Sequence, residues 1–118
     1  MLRIRHEQMR ALGEALRRDF ERRMMAYLRG NFGAHAAERS DEQMLAFIRE
    51  GISNAERYAI RAEGDVSRFI EYALVYGSDF DTRLKWVENV LRTDGINGTQ
   101  KMDRIDNQAL FERPEVTN

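Results

Sequence analysis

An apolar period of three or four residues is the feature that most constrains this 118-residue chain. It first runs through Met9, Leu12, Leu16, Phe20, Met24 and Leu28. This spacing puts the apolar side chains on one face of an amphipathic helix, predicted at about 5–29, and we expect that face to be buried. The segment Gly30-Asn31-Phe32-Gly33 follows, where a glycine or the asparagine can form a left-handed C-cap.

The same period predicts four further helices. The second, at about 41–58, begins after Ser40 and Gln43, which have the pattern of a capping box. We interpret Gly51, inside this helix, as the site of a close helix crossing, because a helical glycine otherwise only costs stability. A break at Gly51 is the alternative. The remaining helices are predicted at 63–76, 82–92 and 100–111, the last with Thr99 as its cap.

Proline occurs once, at Pro114, so it interrupts no earlier helix. No run with the two-residue period of a strand reaches a convincing length. We therefore predict an all-α fold, a compact bundle of about five helices with a long basic first helix and no sheet. The length suits one domain with its own core. Residues 1–113 are assigned to a single helical domain and 114–118 to a frayed tail.

The chain contains no cysteine, which excludes disulfides, thiolate zinc sites and a cysteine nucleophile. No apolar run approaches the roughly 20 residues of a membrane span. The first ten residues have no apolar core of a signal peptide. We expect a cytoplasmic protein that does not interact with membranes.

Charge is distributed unevenly along the chain. Residues 1–30 carry eight arginines and four acids, whereas 31–118 carry eleven bases and sixteen acids. A basic first helix on an acidic body can bind an anionic partner, or it can dock onto its own domain. Some of its arginines follow acids by four residues, in the order that favours pairing, as Arg18 follows Glu14 and Arg23 follows Asp19.

The exposed face of the first helix is expected to carry Arg10, Arg17, Arg18, Arg22 and Arg29. A solvated face that pairs with its own acids, a protein-binding face and a nucleic-acid face are the three interpretations. We do not expect nucleic-acid binding, because the pI is about 6.1 and no reading element is recognisable. On the third helix, aromatics at the border of the apolar face are typical of protein interfaces. The candidate partner-binding residues are Arg18, Arg22, Arg29, Tyr72 and Tyr76.

Asp79-Phe80-Asp81 contains the best candidate pair of carboxylates. A catalytic pair needs two acids in different environments, and a metal site needs more ligands than two. We predict instead that Phe80 is buried and fixes this loop, while Asp81 or Thr82 caps the next helix. A functional acid site at Asp79 and Asp81 is the alternative.

The remaining polar motifs do not form a recognisable site. His6 and His35 lack the spacing of a metal or catalytic motif, and there is no glycine-rich phosphate loop. The 94–98 segment has Ile96 where a calcium loop needs an oxygen donor, so it is predicted to be a turn. We expect no enzymatic activity, no cofactor and no bound metal.

The string AERYAI…DVSRFIEYALVYGSDFD, Trp86 with Val90-Leu91, and KMDRI resemble a group of small helical bacterial proteins of unknown function. The opening LRIRHEQMRAL fits the same pattern, so the resemblance covers about residues 2–111. Members are commonly encoded beside type VI secretion genes for spike, PAAR and effector proteins. This chain departs from the group at Ala62, where a capping serine or threonine is expected, and in its short connector at 81–84. The group has no established functional residues to carry over.

The resemblance implies a cytoplasmic accessory protein that binds an effector, PAAR or spike protein before export. The preferred hypothesis is therefore a non-enzymatic protein-binding module, an adaptor or chaperone of a type VI secretion system. An immunity protein that inhibits a cognate toxin and a nucleic-acid-associated regulator are the alternatives, with a hydrolase that uses Asp79 and Asp81 as a further class. A homodimer stays open.

Overall fold

The computed structural model describes the backbone of residues 6–117 and the side chains of residues 13–110. Within this range the chain forms seven helices and no strand, which confirms the all-α prediction with more helices than the five expected. They are α1 His6–Asn31, α2 Gly33–Ala36, α3 Asp41–Glu56, α4 Glu63–Tyr76, α5 Phe80–Arg83, α6 Lys85–Leu91 and α7 Gly98–Thr117.

The helices group into two compact units, Met1–Ile48 and Arg49–Asn118, and the boundary falls inside α3. A single domain over residues 1–113 stays a prediction. None of the helices in the described part of the chain is both long enough and apolar enough to cross a membrane.

In the first unit, α1 is the longest helix, and only part of its apolar face is buried. Phe20, Met24 and Leu28 are almost inaccessible to solvent, but Leu16 is 52% exposed. The expectation that the whole face is buried is therefore wrong at Leu16. The side chains of Met9 and Leu12 lie outside the described residues.

The end of α1 differs from the predicted left-handed C-cap. Within residues 6–117, Ala59, Gly77 and Gly95 have positive φ, and none of these lies near this end. The Phe32 amide still donates to the Leu28 carbonyl at 2.9 Å, so the helical bonding pattern continues to the start of α2. Asn31 contributes differently, since its side-chain amide donates to the Tyr27 carbonyl at 2.9 Å.

The predicted capping box at the start of α3 is confirmed. The Ser40 amide donates to Gln43 Oε1 at 2.8 Å, and the Gln43 amide donates to Ser40 Oγ at 3.1 Å. These reciprocal bonds satisfy amides that have no partner within the helix.

The close crossing predicted at Gly51 is also confirmed, and α3 is continuous through it. A Cβ atom at Gly51 would lie 2.7 Å from Cγ1 of Ile70 on α4, a distance shorter than any normal contact. Only glycine therefore allows α3 and α4 to approach this closely.

The helix predicted at 82–92 is two helices, α5 and α6. α5 begins at Phe80, before the predicted start at residue 82, and both Phe80 and Asp81 are buried. Leu84 then adopts an extended backbone, with φ −90° and ψ 105°, and redirects the chain into α6. The chain's single tryptophan, Trp86, lies on α6 and is half-buried.

The last helix, α7, begins earlier and ends later than predicted. Its capping box is formed by Asn97 and Gln100, which exchange two amide-to-side-chain bonds of 2.8 Å, so the prediction of Thr99 as the cap is wrong. The backbone is helical as far as Thr117, past the predicted end near residue 111, and includes Pro114. The predicted fraying of 114–118 concerns residues whose side chains are not described, and it stays a prediction.

Candidate functional site

Among the residues of α1 whose side chains are described, 13–18 form the longest run in which every residue is exposed. We call it the 13–18 segment. Its one large apolar side chain is Leu16, which belongs to the same period as the buried residues further along the helix. Leu16 is 52% exposed, whereas Phe20, Met24 and Leu28 of the same period are buried.

Two arginines of the 13–18 segment, Arg17 and Arg18, are exposed and form no ion pair or side-chain hydrogen bond with any residue that the structure describes. The favourable spacing of Glu14 and Arg18 therefore does not produce a contact. The guanidinium groups of Arg17 and Arg18 keep their donors available for carboxylates of another molecule.

Asp19, the next acid along α1, already forms hydrogen bonds with two arginines of the same helix. Asp19 accepts a hydrogen bond from Nε of Arg23 at 2.6 Å and a short one from Nη2 of Arg22. The bond from Arg23 is the main reason that the pKa of Asp19 lies below its ordinary value. Arg22 remains 73% exposed at its side chain, so this pairing leaves most of its guanidinium in solvent.

Arg29, a third predicted partner-binding residue, is held by its own unit. Its guanidinium donates to the carbonyls of Ala36 at 2.5 Å and Arg39 at 2.7 Å, and to the Asp41 carboxylate at 3.0 Å. These bonds fix the turn between α2 and α3. A role for Arg29 in binding a partner stays a prediction, but most of its donors already have acceptors.

The two predicted tyrosines lie in the second unit, on α4. The Tyr72 hydroxyl donates to Asp106 Oδ1 at 2.7 Å, and the Tyr72 ring stacks on Phe80 and on Tyr76 at centroid distances of 6.0 and 5.9 Å. Burial, followed by the bond to Asp106, raises the pKa of Tyr72. Tyr72 is therefore engaged within the fold, whereas Tyr76 is half-buried beside Val75, which is 40% exposed.

Asp79-Phe80-Asp81 places its three side chains in different environments. Phe80 is fully buried with its ring edge-on to Phe69, at a centroid distance of 4.9 Å, as predicted. Asp79 is exposed and pairs with Nε of Arg83 at 3.1 Å. Asp81 is buried and accepts a 2.7 Å hydrogen bond from the Tyr58 hydroxyl.

The prediction that Asp81 or Thr82 caps the following helix is therefore wrong. Asp79 is the N-cap residue of α5, and its side chain makes no capping bond. The Thr82 hydroxyl donates to the Asp79 carbonyl at 3.3 Å. Asp81 faces inward because Tyr58 offers its carboxylate a buried donor, a contact between residues far apart in sequence.

Sequence reasoning also missed that Tyr58 is bonded from several directions. The buried Lys101 donates from Nζ to the Tyr58 carbonyl at 2.9 Å, while the guanidinium groups of Arg57 and Arg92 lie 5.9 and 5.8 Å from its ring centroid. Burial and the bond to Asp81 raise the pKa of Tyr58 to about 12. The arrangement joins the end of α3 to three later helices.

A second missed cluster is centred on Arg68 of α4. Its guanidinium contacts the carboxylates of Asp65, Asp103 and Asp106 at 2.7, 2.9 and 2.7 Å. Thr99 donates to the other oxygen of Asp65 at 2.5 Å. Burial lowers the pKa of Arg68, but the three carboxylates outweigh that effect and raise it. The cluster attaches α7 to α4.

Among residues whose side chains are described, no group of three or more histidines or acids is arranged to hold a metal ion. His35 is exposed on α2, and the predicted turn within 94–98 is present at Asp94 and Gly95. No known protein family matches the chain, and no curated protein or solved structure is significantly similar to it.

Proposed function

We propose that this protein is a non-enzymatic binding module that holds another protein through the first half of its long basic helix α1. The exposure of Leu16 supports this function most directly, because the rest of its apolar period is buried in the described part of α1. Covering a half-exposed leucine is favourable by about 25 cal/mol for each Å² removed from water.

The charges around Leu16 favour a protein partner with carboxylates. Arg17 and Arg18 have no acidic partner in the described residues, and Arg22 shares Asp19 with Arg23. Arginine is enriched at protein interfaces, because its planar guanidinium binds carboxylates through paired hydrogen bonds.

The resemblance to proteins encoded beside type VI secretion genes supplies the cellular role. On that basis the partner is a secreted effector, a PAAR protein or a spike protein, and the module acts in the cytoplasm as its adaptor or chaperone before export. Binding is stoichiometric and needs no cofactor.

The test is capture of the partner from the native cell by purified wild-type protein and by the variant with Arg18→Glu and Arg22→Glu. We expect the variant to capture much less of the partner, and we expect salt to weaken capture by the wild type but not by the variant, because rim charges act mainly through an association rate that salt screens. The matched control is Arg104→Glu on α7, an exposed arginine without an ion pair to a described residue.

Equal capture by the wild type and by the double variant would contradict binding through α1. The wild type could instead bind DNA or RNA with an affinity that falls steeply as salt increases. If the double variant loses that binding, the nucleic-acid-associated regulator is the correct alternative. If co-expression with the captured effector abolishes the toxicity of that effector, the immunity function applies.

A further inference from the structure

We propose that Asn97-Gly98 is a site of self-modification, at which the Gly98 amide nitrogen displaces ammonia from the Asn97 side chain. The capping box at the start of α7 restrains the reaction while the protein is folded. Both residues belong to the unit Arg49–Asn118, and the proposal does not depend on the binding function described above.

The sequence supplies the reactive pair, because Asn97 is the one asparagine of the chain that glycine follows. Glycine has no Cβ, so its backbone nitrogen can approach the preceding side chain with the least hindrance. Hydroxide removes the proton of the Gly98 amide, the nitrogen bonds to Cγ of Asn97, and the side-chain nitrogen leaves as ammonia. Water then opens the cyclic imide at one of its two carbonyls, which gives aspartate or isoaspartate.

The structure leaves the reacting groups accessible. Asn97 is exposed, and the Gly98 amide has no hydrogen-bond acceptor among the described residues. The first amides of a helix have no carbonyl of the same helix to bond, and Gly98 is the first residue of α7. The attacking nitrogen therefore has no internal hydrogen bond to break.

The capping box opposes the attack from the side of Asn97. Its Oδ1 accepts the Gln100 amide at 2.8 Å, and its own amide donates to Gln100 Oε1 at 2.8 Å. Ring closure rotates Cγ onto the main chain, so the bond to Oδ1 has to open first. The reaction then proceeds from the small fraction of molecules in which this turn is open. Thr99, in the same turn, donates to Asp65 of α4 at 2.5 Å, which also keeps the turn closed.

The two products have different effects on α7. Aspartate is as good an N-cap residue as asparagine, and its charge is favourable at a helix start. Isoaspartate instead carries the main chain through the former side chain, which inserts one methylene before Gly98. Gly98 lies so close to the preceding turn that a Cβ would be 3.1 Å from the Ala59 carbonyl oxygen and from Cα of Ile60. The inserted methylene therefore disturbs both this packing and the bond from the Lys101 amide to the Asn97 carbonyl.

The experiment compares two asparagine-glycine pairs in one molecule. Asp94→Asn creates the second pair at an exposed position that has no bonding partner among the described residues. The folded variant is incubated at mildly alkaline pH, and conversion at each position is followed by peptide mapping with mass spectrometry. We expect conversion at position 94 to be about fivefold faster than at Asn97, which is the factor that one N-cap corresponds to. In the urea-unfolded chain the two rates should be similar.

Gln100→Ala tests the restraint directly, because it removes the acceptor of the Asn97 amide. It should accelerate conversion at Asn97 by roughly threefold and leave position 94 unchanged when combined with Asp94→Asn. Equal rates at the two positions of the folded Asp94→Asn variant would overturn the restraint. The site itself would be overturned if Asn97 in folded Gln100→Ala stays intact while the urea-unfolded chain is converted.

The products are separated by ion exchange and melted individually. The aspartate form should have the Tm of Asn97→Asp, close to that of the wild type, and the isoaspartate form should melt at a lower temperature. An isoaspartate form with the Tm of the wild type would contradict the effect on the packing of α7.

Discussion

Asp81 shows how a residue in an exposed-looking loop can become part of the interior. Its carboxylate is stable there while the Tyr58 hydroxyl donates to it at 2.7 Å. A buried polar group that loses its partner costs about 1–3 kcal/mol. Asp81→Ala should destabilise the protein by that amount, measured as the free energy of unfolding in urea.

The neighbouring Asp79 supplies the matched control, because its carboxylate is 65% exposed and its pair with Arg83 is a surface contact. Such pairs contribute about 0–1 kcal/mol, so Asp79→Ala should have little effect. In a double-mutant cycle, Asp81→Ala should destabilise Tyr58→Phe less than it destabilises the wild type, because Tyr58→Phe has no hydroxyl that could lose its partner. Equal costs for Asp79→Ala and Asp81→Ala would contradict the buried bond.

Phe80 is the residue whose burial fixes the chain between α4 and α5. Phe80→Ala removes a fully buried ring that contacts Phe69, and it should cost about 3–5 kcal/mol. Thermal unfolding followed by circular dichroism gives the measurement. Val75→Ala, at an exposed apolar position of α4, should leave the Tm nearly unchanged. An unaltered Tm for Phe80→Ala would refute this role.

Gly51 is constrained by its neighbour and not by its own backbone conformation. Alanine is a better helix former by about 1 kcal/mol, but at Gly51 its Cβ would overlap Ile70, and overpacking costs about 1–3 kcal/mol. Gly51→Ala should therefore destabilise on balance. Gly64→Ala, on α4 with open space around it, should be neutral or stabilising. A more stable Gly51→Ala would show that α3 and α4 separate easily.

The burial and contacts of some residues can be predicted from the neighbouring sequence, and those of others cannot. The burial of Phe80 was predictable because polar residues surround it and few other side chains could fix the loop. The burial of Asp81 was not, since its donor Tyr58 lies 23 residues earlier. The three carboxylates around Arg68 were missed for the same reason, because two of them lie on another helix.

At the scale of elements, α7 is attached to α4 through the Arg68 cluster, and we expect the stability of this attachment to depend on pH. Burial raises the pKa of Asp65, but the hydrogen bonds from Thr99 and Arg68 outweigh it, so the pKa lies below its ordinary value. A carboxyl with a lowered pKa in the folded state contributes stability above its unfolded pKa of about 3.9. That contribution is lost as the pH falls through the lower folded value.

Asp65→Asn should therefore lower the Tm at neutral pH and reduce the further loss of Tm between about pH 5 and pH 2. Thermal melts across this range compare the variant with the wild type. Asp94→Asn is the control, because Asp94 is exposed and has no partner among the described residues. Parallel acid profiles for Asp65→Asn and the wild type would argue against the cluster.

Helical periodicity identified the long elements, since α1, α3 and α4 each have a continuous apolar face and a recognisable start or end. It did not resolve α5 from α6, because the separation depends on a single extended residue, Leu84. Local propensity contains no signal for that conformation. Phe80 and Asp81, which precede Leu84, are buried against Phe69 of α4 and against Tyr58, and local sequence does not reveal these contacts either.

At the scale of the whole molecule, the sequence shows that residues 1–30 are rich in arginine, but it does not locate the solvent-exposed part of the apolar face of α1. The prediction of one domain over residues 1–113 can be tested by the way the protein unfolds. A single domain should unfold in one transition, with a calorimetric enthalpy equal to the van't Hoff enthalpy. Differential scanning calorimetry measures both, and a calorimetric enthalpy clearly above the van't Hoff value would instead indicate two independently melting units.

The position of Trp86 determines what a spectroscopist would observe in this protein. The only indole of the chain is half-buried on α6, within the unit Arg49–Asn118, and three of the four tyrosines, at positions 58, 72 and 76, belong to the same unit. Fluorescence excited at a wavelength that tryptophan absorbs and tyrosine does not comes from Trp86, and it therefore reports on that unit. An emission maximum that shifts before the far-ultraviolet ellipticity changes would assign the early event to α6 and its neighbours.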